Sequence, residues 1–242
     1  MKTKIMWSVL GLVLLSIFAL TFMKSPEAIT SMLEQVSANA RNYSVFVHAV
    51  FFAIMALGLV ISKMRTVLFS SFIAFLSLSA TVVSALYAIV PNIIIFALFF
   101  VLILRAHFTR KLNFPRVRIA RLDLFFGAVG LVFGFWYLHW VQSPVWLNAL
   151  LFSPLGAVNC PTMLTVCGFL CLSQEPRSTA LEATVALITL YFGFFGLFRL
   201  GAYVDIALIV CALFLIVRLS ASRAHDLIFA ERSEERTTTF TG

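Results

Sequence analysis

Long apolar runs separated by short polar segments are the feature that most constrains this chain. A helix of about 20 residues spans about 30 Å, which is the thickness of the hydrocarbon core of a bilayer. Hydrophobic residues make up 62% of the chain and charged residues only 12%, and the mean hydropathy is +1.02. There are too few polar side chains to cover a water-exposed surface, so the composition excludes a soluble domain.

The runs predict an all-α fold, a polytopic transmembrane helix bundle with about eight spans. Residues 1–219 form one transmembrane domain, and residues 220–242 form a cytoplasmic tail. Lys24–Asn42 predicts an amphipathic helix at the membrane interface. The first run is longer than the apolar region of a signal peptide, which favours a retained span. The predicted spans are Ile5–Met23, Tyr43–Ile61, Thr66–Val90, Asn92–Leu104, Leu122–Val141, Pro161–Ser173, Thr179–Phe198 and Ala202–Val217.

The sixth span is short or broken. Ser143–Asn159 is apolar but contains Pro144, Pro154 and Gly156, and Pro161 suits the first position of a helix. The stretch from Pro161 to Ser173 is about 20 Å long as a helix, less than the bilayer core. We therefore expect irregular or re-entrant chain that packs against protein and leads to a helix beginning below the outer surface.

The distribution of basic residues predicts the orientation. With eight spans and a cytoplasmic N-terminus, 15 lysines and arginines lie inside and three lie outside, namely Lys24, Arg41 and Arg199. Such a bias predicts that both termini and the basic loop Arg105–Arg121 are cytoplasmic. The lipid bilayer, with anionic head groups at this loop, is the expected partner. Nucleic acid is not, because the basic residues alternate with spans and form no basic face with aromatic residues.

The segment Asn159-Cys160-Pro161-Thr162 is the leading candidate for a ligand site. It places an amide, a thiol and a hydroxyl at the start of a helix, where free N–H groups and positive partial charge attract anions or activate a thiol. The simpler interpretation is structural: Thr162 bonds the backbone and Cys160 fills space. Both interpretations stay open from the sequence.

Three further residues lie at a similar predicted depth, near the outer ends of their spans: His48, His139 and Asp205. Acidic residues within spans are candidates for function, and Asp205 could compensate a bound cation or proton or pair with Arg199. Two facing histidines could ligate haem or a metal, and Cys160, Cys167 and Cys171 share a helix face that suits a soft metal. Interfacial and packing roles are simpler, so no cofactor is predicted.

Other residues of the spans have expected structural roles. Asp123 and Glu182 lie at helix N-termini, where they complement the dipole or form salt bridges. Gly127, Gly130 and Gly134 predict close helix packing. An aromatic belt is expected at the outer end of span five, formed by Trp136, Tyr137 and Trp140.

The C-terminal half resembles a family of bacterial multi-pass membrane proteins without assigned activity. The similarity covers about Arg116–Val217 and rests on Pro154-Leu155-Gly156, on Cys160-Pro161-Thr162 and on Val204-Asp205-Ile206. The family has a Cys-Pro-Thr-Thr stretch, whereas Met163 replaces the second threonine here. The resemblance implies a membrane protein and draws attention to Cys160–Thr162. We expect the protein in the bacterial inner (plasma) membrane.

Three classes of function follow from these patterns. The broken helix and the scattered acids favour small-molecule or ion transport, although no internal repeat supports it. A structural or regulatory membrane subunit needs only the glycine faces. A membrane-embedded redox protein or enzyme would use Cys160 with His48 or His139, but no recognisable catalytic set is present, so whether the chain is an enzyme stays open.

The charge bias leads to a test of topology. A cysteine introduced at Asn113, within the basic loop, is expected to react in intact cells only with a membrane-permeant thiol reagent, because the loop is cytoplasmic. The measurement compares permeant and impermeant labels in a variant whose four native cysteines are replaced. Labelling by the impermeant reagent would overturn the predicted threading.

Overall fold

The computed structural model describes residues 22–114, 119–141 and 143–239, together with isolated positions before residue 22. Side chains are described only up to residue 222. Throughout these ranges the regular structure is helical, with one isolated bridge between Asn113 and Gln174. The helices are α1 (Pro26–Asn39), α2 (Arg41–Val60), α3 (Arg65–Leu86), α4 (Val90–Phe108), α5 (Arg121–Phe135), α6 (Val145–Phe152), α7 (Asn159–Leu172), α8 (Thr179–Arg199) and α9 (Ile206–Thr239).

Five helical segments within the described ranges are long and apolar enough to cross a membrane. They are α2, α4 and α8, together with Ser62–Leu86, which includes α3, and Tyr203–Ser222, which includes the start of α9. These helices are consistent with a multi-pass membrane protein. The predicted number of eight spans is not confirmed, and most of Ile5–Met23 lies outside the described residues.

The predicted fifth span is shorter than expected. Helix α5 has 15 residues and ends at Phe135, not at Val141. Two contacts hold the following chain away from the helical path: the Trp136 indole donates to the carbonyl of Trp146 at 2.8 Å, and the backbone N–H of Tyr137 donates to Ser153 Oγ at 3.3 Å. Here tertiary hydrogen bonds override the local apolar pattern.

The predicted break before the sixth span is confirmed. The prediction that the whole chain leading to it packs against protein is wrong for its first part, helix α6. Helix α7 has 14 residues and follows an irregular segment, Ser153–Val158, that is buried throughout. Within it, Gly156 has φ +76°, and its carbonyl accepts from Ser79 Oγ at 2.5 Å. The preceding helix α6 does not pack entirely on protein, because Trp146 is 59% exposed.

Helix α1 is the amphipathic helix that the sequence predicts. Its buried residues include Ile29, Leu33 and Val36, at helical spacing, and most of its other side chains are exposed. Ser25 caps its N-terminus, since its Oγ accepts from the backbone N–H of Ala28 at 3.3 Å. The helix therefore offers one apolar stripe to the bundle.

Helix α7 occupies the centre of the bundle. Each of its residues from Asn159 to Cys171 is buried, and it packs against α3, α5, α8 and α9. A helix that is apolar on all sides is expected to be enclosed in this way. The site residues predicted from its sequence therefore lie inside protein and not at a lipid surface.

Glycines bring α5 and α7 into backbone contact. A Cβ atom added at Gly130 would lie 2.6 Å from the Cα of Gly168 and 2.9 Å from the carbonyl oxygen of Leu164. A Cβ at Gly168 would lie 2.8 Å from the backbone nitrogen of Leu131. Two helices this close exclude any larger side chain between them, which confirms the packing role predicted for the α5 glycines.

The described segments around Thr66, Asn113 and Gln174, which the sequence assigns to one side, meet at one end of the bundle. Thr66 Oγ1, next to Arg65, bonds the Asn113 side chain at 3.2 Å, and the Gln174 backbone N–H donates to the Asn113 carbonyl at 2.9 Å. At the other end, Arg199 donates to the carbonyl of Lys24 at 3.1 Å. The orientation of the bundle and the contact of the basic loop with anionic head groups stay predictions.

The glycine contact leads to a stability test. Gly130→Val is expected to destabilise the protein by about 3 kcal/mol or more, since neither backbone can yield without separating the helices, and to lower Tm by roughly 10 °C. Thermal unfolding in detergent measures the change. Ala128→Val, at an exposed position of the same helix, is the control; an equal fall in Tm for both variants would contradict the proposed contact.

Candidate functional site

A buried acidic cluster at the start of α7 is the candidate site. The Tyr137 hydroxyl donates to Asp205 Oδ1 at 2.6 Å, and the Cys160 thiol donates to Asp205 Oδ2 at 3.4 Å. Both Asp205 and Tyr137 have no exposed surface, and Cys160 is 2% exposed. We call these three residues the Asp205 cluster.

Three different segments position the cluster. Asp205 ends the short 3-10 turn Tyr203–Asp205 that precedes α9, Cys160 lies in the first turn of α7, and Tyr137 follows α5. Gly196 of α8 closes the fourth side, because a Cβ atom there would overlap the Asp205 carboxylate. The cluster thus lies where the chain after α5, the start of α7 and the connection between α8 and α9 meet.

The partner that the sequence proposed for Asp205 is wrong. Arg199 bonds the Lys24 carbonyl and stacks on the Phe22 ring at 4.5 Å, and it forms no ion pair with Asp205. In the described part of the chain, no lysine, arginine or histidine lies within salt-bridge distance of Asp205. Its oxygens are instead satisfied by two neutral donors. A buried carboxyl group without a cation is rare and expensive.

Among the predicted site residues, the structure brings Asn159, Cys160 and Asp205 together. The Cys160 sulfur lies 3.7 Å from Asn159 Oδ1 and 3.4 Å from the Asp205 carboxylate. The thiol therefore lies between the amide and the acid, and its single proton is donated to one of them at a time. Whether these residues bind a ligand stays a prediction.

Thr162 has a structural role at the start of α7. Its hydroxyl donates to the Val158 carbonyl at 2.7 Å and accepts from the backbone N–H of Gly156 at 2.9 Å. These two bonds satisfy the irregular chain that precedes the helix. The single hydroxyl proton is already used, so Thr162 has no proton to donate to a ligand without releasing the loop.

The two histidines have different surroundings. His48 Nδ1 bonds the Leu150 carbonyl at 2.9 Å, which holds α6 against α2. Its ring packs on Phe135 at a tilt of 35°, with centroids 4.4 Å apart. His139 packs on Trp140 and lines a separate cavity of about 750 Å³, whose walls include Glu34 and Arg41. No hydrogen bond joins either histidine to the Asp205 cluster in the described structure.

The described residues contain no group of three or more histidine, cysteine or acidic side chains that could hold a metal ion. Cys167 and Cys171 are buried within α7, and Cys211 lies against the Phe126 carbonyl at 3.5 Å. Burial of these three thiols is consistent with the packing role that the sequence favours for them.

Sequence reasoning missed Tyr137, which it assigned to the aromatic belt. Tyr137 is buried and donates to Asp205, whereas Trp146 nearby is mostly exposed. One signal could have identified it: in the longer helix that the sequence predicts, Tyr137 follows Gly134 by three positions and shares its face, although the observed α5 ends at Phe135. A tyrosine on such a face is buried, and its hydroxyl then needs a partner.

A narrow cavity lies beside the cluster. It has a volume of about 160 Å³, and two amide side chains, Asn92 and Asn159, line it together with apolar residues of α1 and α8. Asn92 is 4% exposed and Asn159 is 7% exposed. Because Asn159 also contacts the Cys160 thiol, the cavity is connected to Asp205 through two side chains.

A second buried charge cluster lies at the opposite end of α7. Arg218 of α9 donates to Glu182 Oε1 at 2.7 Å and lies 3.5 Å from Asp123 Oδ1. The same guanidinium donates to the carbonyls of Leu170 and Cys171, at 2.7 and 2.8 Å. The salt-bridge role predicted for the two acids is confirmed, and Arg218 caps the C-terminus of α7.

The comparisons with known proteins add no assignment. No protein-family model, no curated protein and no solved structure matches this chain. The Cys-Pro-Thr-Thr resemblance therefore stays a prediction, and the function must be inferred from the site itself.

The Arg218 cluster leads to a second stability test. Arg218→Leu is expected to cost about 3–5 kcal/mol, because it leaves the buried Glu182 without its closest partner, with Arg177 remaining at 4.0 Å. The double variant Arg218→Leu/Glu182→Leu should be more stable than the single variant, since it removes the poorly compensated charge. Lys63→Leu is the control, since Lys63 is exposed and lies outside this cluster, and it should cost under about 1 kcal/mol. Thermal unfolding in detergent decides; a double variant no more stable than Arg218→Leu would contradict this role.

Proposed function

We propose that this protein is a multi-pass membrane transporter in which Asp205 takes up and releases a proton as a small solute moves. One observation supports the proposal above others: Asp205 is fully buried, and its bonded partners are the neutral donors Tyr137 and Cys160. Acidic residues enclosed within membrane bundles typically belong to ion pathways or proton relays.

The chemistry of the neighbours favours a proton over a metal ion. A hydroxyl and a thiol can each donate to the ionised carboxylate, and each can reorient when the carboxyl group gains a proton. A hard cation would need several oxygen ligands, and the cluster supplies few. The Tyr137–Asp205–Cys160–Asn159 contacts form a chain of polar groups that ends at the cavity beside Asn159, with the single thiol proton donated to Asp205 or to Asn159 in turn.

The position of the carboxylate also suits reversible protonation. The N-terminus of α7 lies beside it, and the positive end of the helix dipole stabilises the charged form. Burial favours the neutral form. Two opposing influences of this kind keep both states accessible, which a proton carrier requires.

Proton movement in reconstituted vesicles tests the proposal. Purified protein is placed in liposomes that enclose a pH-sensitive dye, and amino acids, short monocarboxylates and small amines are added in turn outside. We expect at least one solute to change the internal pH faster than in protein-free liposomes. Asp205→Asn, which keeps the size of the side chain, should reduce that rate at least tenfold.

Two variants make the test specific. Tyr137→Phe should slow proton movement while leaving the fold intact, because it removes one donor to Asp205. Glu27→Gln removes an exposed acid from α1 and should leave the rate unchanged. Asp205→Asn liposomes that match wild type would contradict the role of Asp205. A wild-type protein that moves no solute or proton would instead favour the structural or regulatory subunit.

A further inference from the structure

The cavity beside Asn159 has the features of a built binding site. Asn92 at the start of α4 and Asn159 at the start of α7 both line it, and both are more than nine-tenths buried. The described residues give neither amide nitrogen a hydrogen-bond partner, and Asn159 Oδ1 lies 3.7 Å from the Cys160 sulfur. Neither nitrogen is among the fully enclosed polar atoms without a partner, so both reach the cavity and can donate to an acceptor that enters it.

The remaining lining indicates what kind of molecule presents that acceptor. The described lining contains the two amides, one charged residue, Lys24, and otherwise only apolar side chains. Lys24 is exposed. Phe192 and Phe195 of α8 and Ile29 and Leu33 of α1 form the apolar walls. An anionic oxygen group joined to a short hydrocarbon chain complements both parts.

The volume indicates the size of a ligand that fills this partly open cavity. The cavity has a volume of about 160 Å³. This is similar to the volume of an apolar cavity of about 150 Å³ that was engineered in another protein and that binds benzene. The ligand therefore has about six non-hydrogen atoms, which matches a carboxylic acid of three to four carbons.

We propose that this cavity binds a short-chain aliphatic monocarboxylate. Its carboxylate accepts hydrogen bonds from the amide groups of Asn92 and Asn159, Lys24 attracts the negative charge, and the aliphatic chain lies against Phe192 and Phe195. The proposal deepens the proposed function by naming the solute, and it rests on that function only for the claim that the bound acid is transported.

Direct binding to the protein in lipid nanodiscs tests the site without any gradient. Butyrate is the probe, measured by saturation-transfer NMR and calorimetry, and butyramide and butylamine are matched in size. We expect butyrate to bind at least tenfold more tightly than butylamine. Across a series of chain lengths, affinity should be greatest at three to four carbons and fall at eight, because the longer chain exceeds the cavity.

Substitutions assign the contacts. Asn92→Leu and Asn159→Leu should each weaken butyrate about tenfold, since each removes one donor to a charged acceptor. Asn92→Asp keeps the size of the side chain, so it remains informative if the leucine variants misfold. It should abolish butyrate binding, because its ionised carboxylate repels that of butyrate. Lys24→Gln should weaken butyrate but not butyramide. Asn42→Leu, an exposed amide outside the cavity, should change nothing.

The outcomes separate the site from the transport function. Butyrate binding no tighter than that of butylamine, or unaffected by Asn92→Asp, overturns the site. If butyrate binds as described while Asp205→Asn still moves protons at the wild-type rate, the site stands and the transport mechanism fails. If Asp205-dependent proton movement accompanies another solute and butyrate does not bind, the transport function stands and the carboxylate assignment fails.

Discussion

The contact between α5 and α7 determines where the candidate site forms. Lipid chains compete with apolar side chains for every helix surface, so helices in a membrane associate through close packing and polar contacts. Gly130 and Gly168 allow two backbones to touch. Because α5 runs along α7 in this register, the chain that leaves α5 at Trp136 arrives beside the first turn of α7. Tyr137 thereby reaches Asp205, which would otherwise lie next to an apolar wall.

Helix α9 and the turn before it hold α7 at both ends with charges of the favourable sign. Asp205, in the turn, lies beside the N-terminus of α7, where the helix dipole is positive, and Arg218 of α9 bonds the carbonyls at its C-terminus, where the dipole is negative. Arg218 follows Asp205 by 13 positions, which is about 20 Å along a helix and close to the length of α7. Because the lengths match, the free carbonyls at the C-terminus of the enclosed helix α7 are bonded by Arg218. At its N-terminus, the helix dipole helps to tolerate an acid that has no cation beside it.

Much of the site was accessible to sequence reasoning, and the exceptions have physical causes. Cys160, Asn159 and Asp205 were predicted as neighbours from depth alone, since residues near the same ends of antiparallel spans share a level. Depth does not give the position around the bundle, which is why His48 and His139 were grouped with them although they contact other residues. Tyr137 was assigned to the lipid interface because aromatic residues at span ends usually lie there.

Local chemistry determined several features of this protein from the sequence alone. Apolar runs, prolines and glycines specified an all-helical chain, an amphipathic α1, a break before α7 and a close-packed face on α5, because each depends on neighbours in sequence. Tertiary structure decided where α5 ends, which partner Asp205 takes and where the two buried amides meet in a cavity. These depend on contacts between residues that are about 10 to 70 positions apart, such as Trp136 with Trp146 and Tyr137 with Asp205, and no local pattern encodes such a pairing.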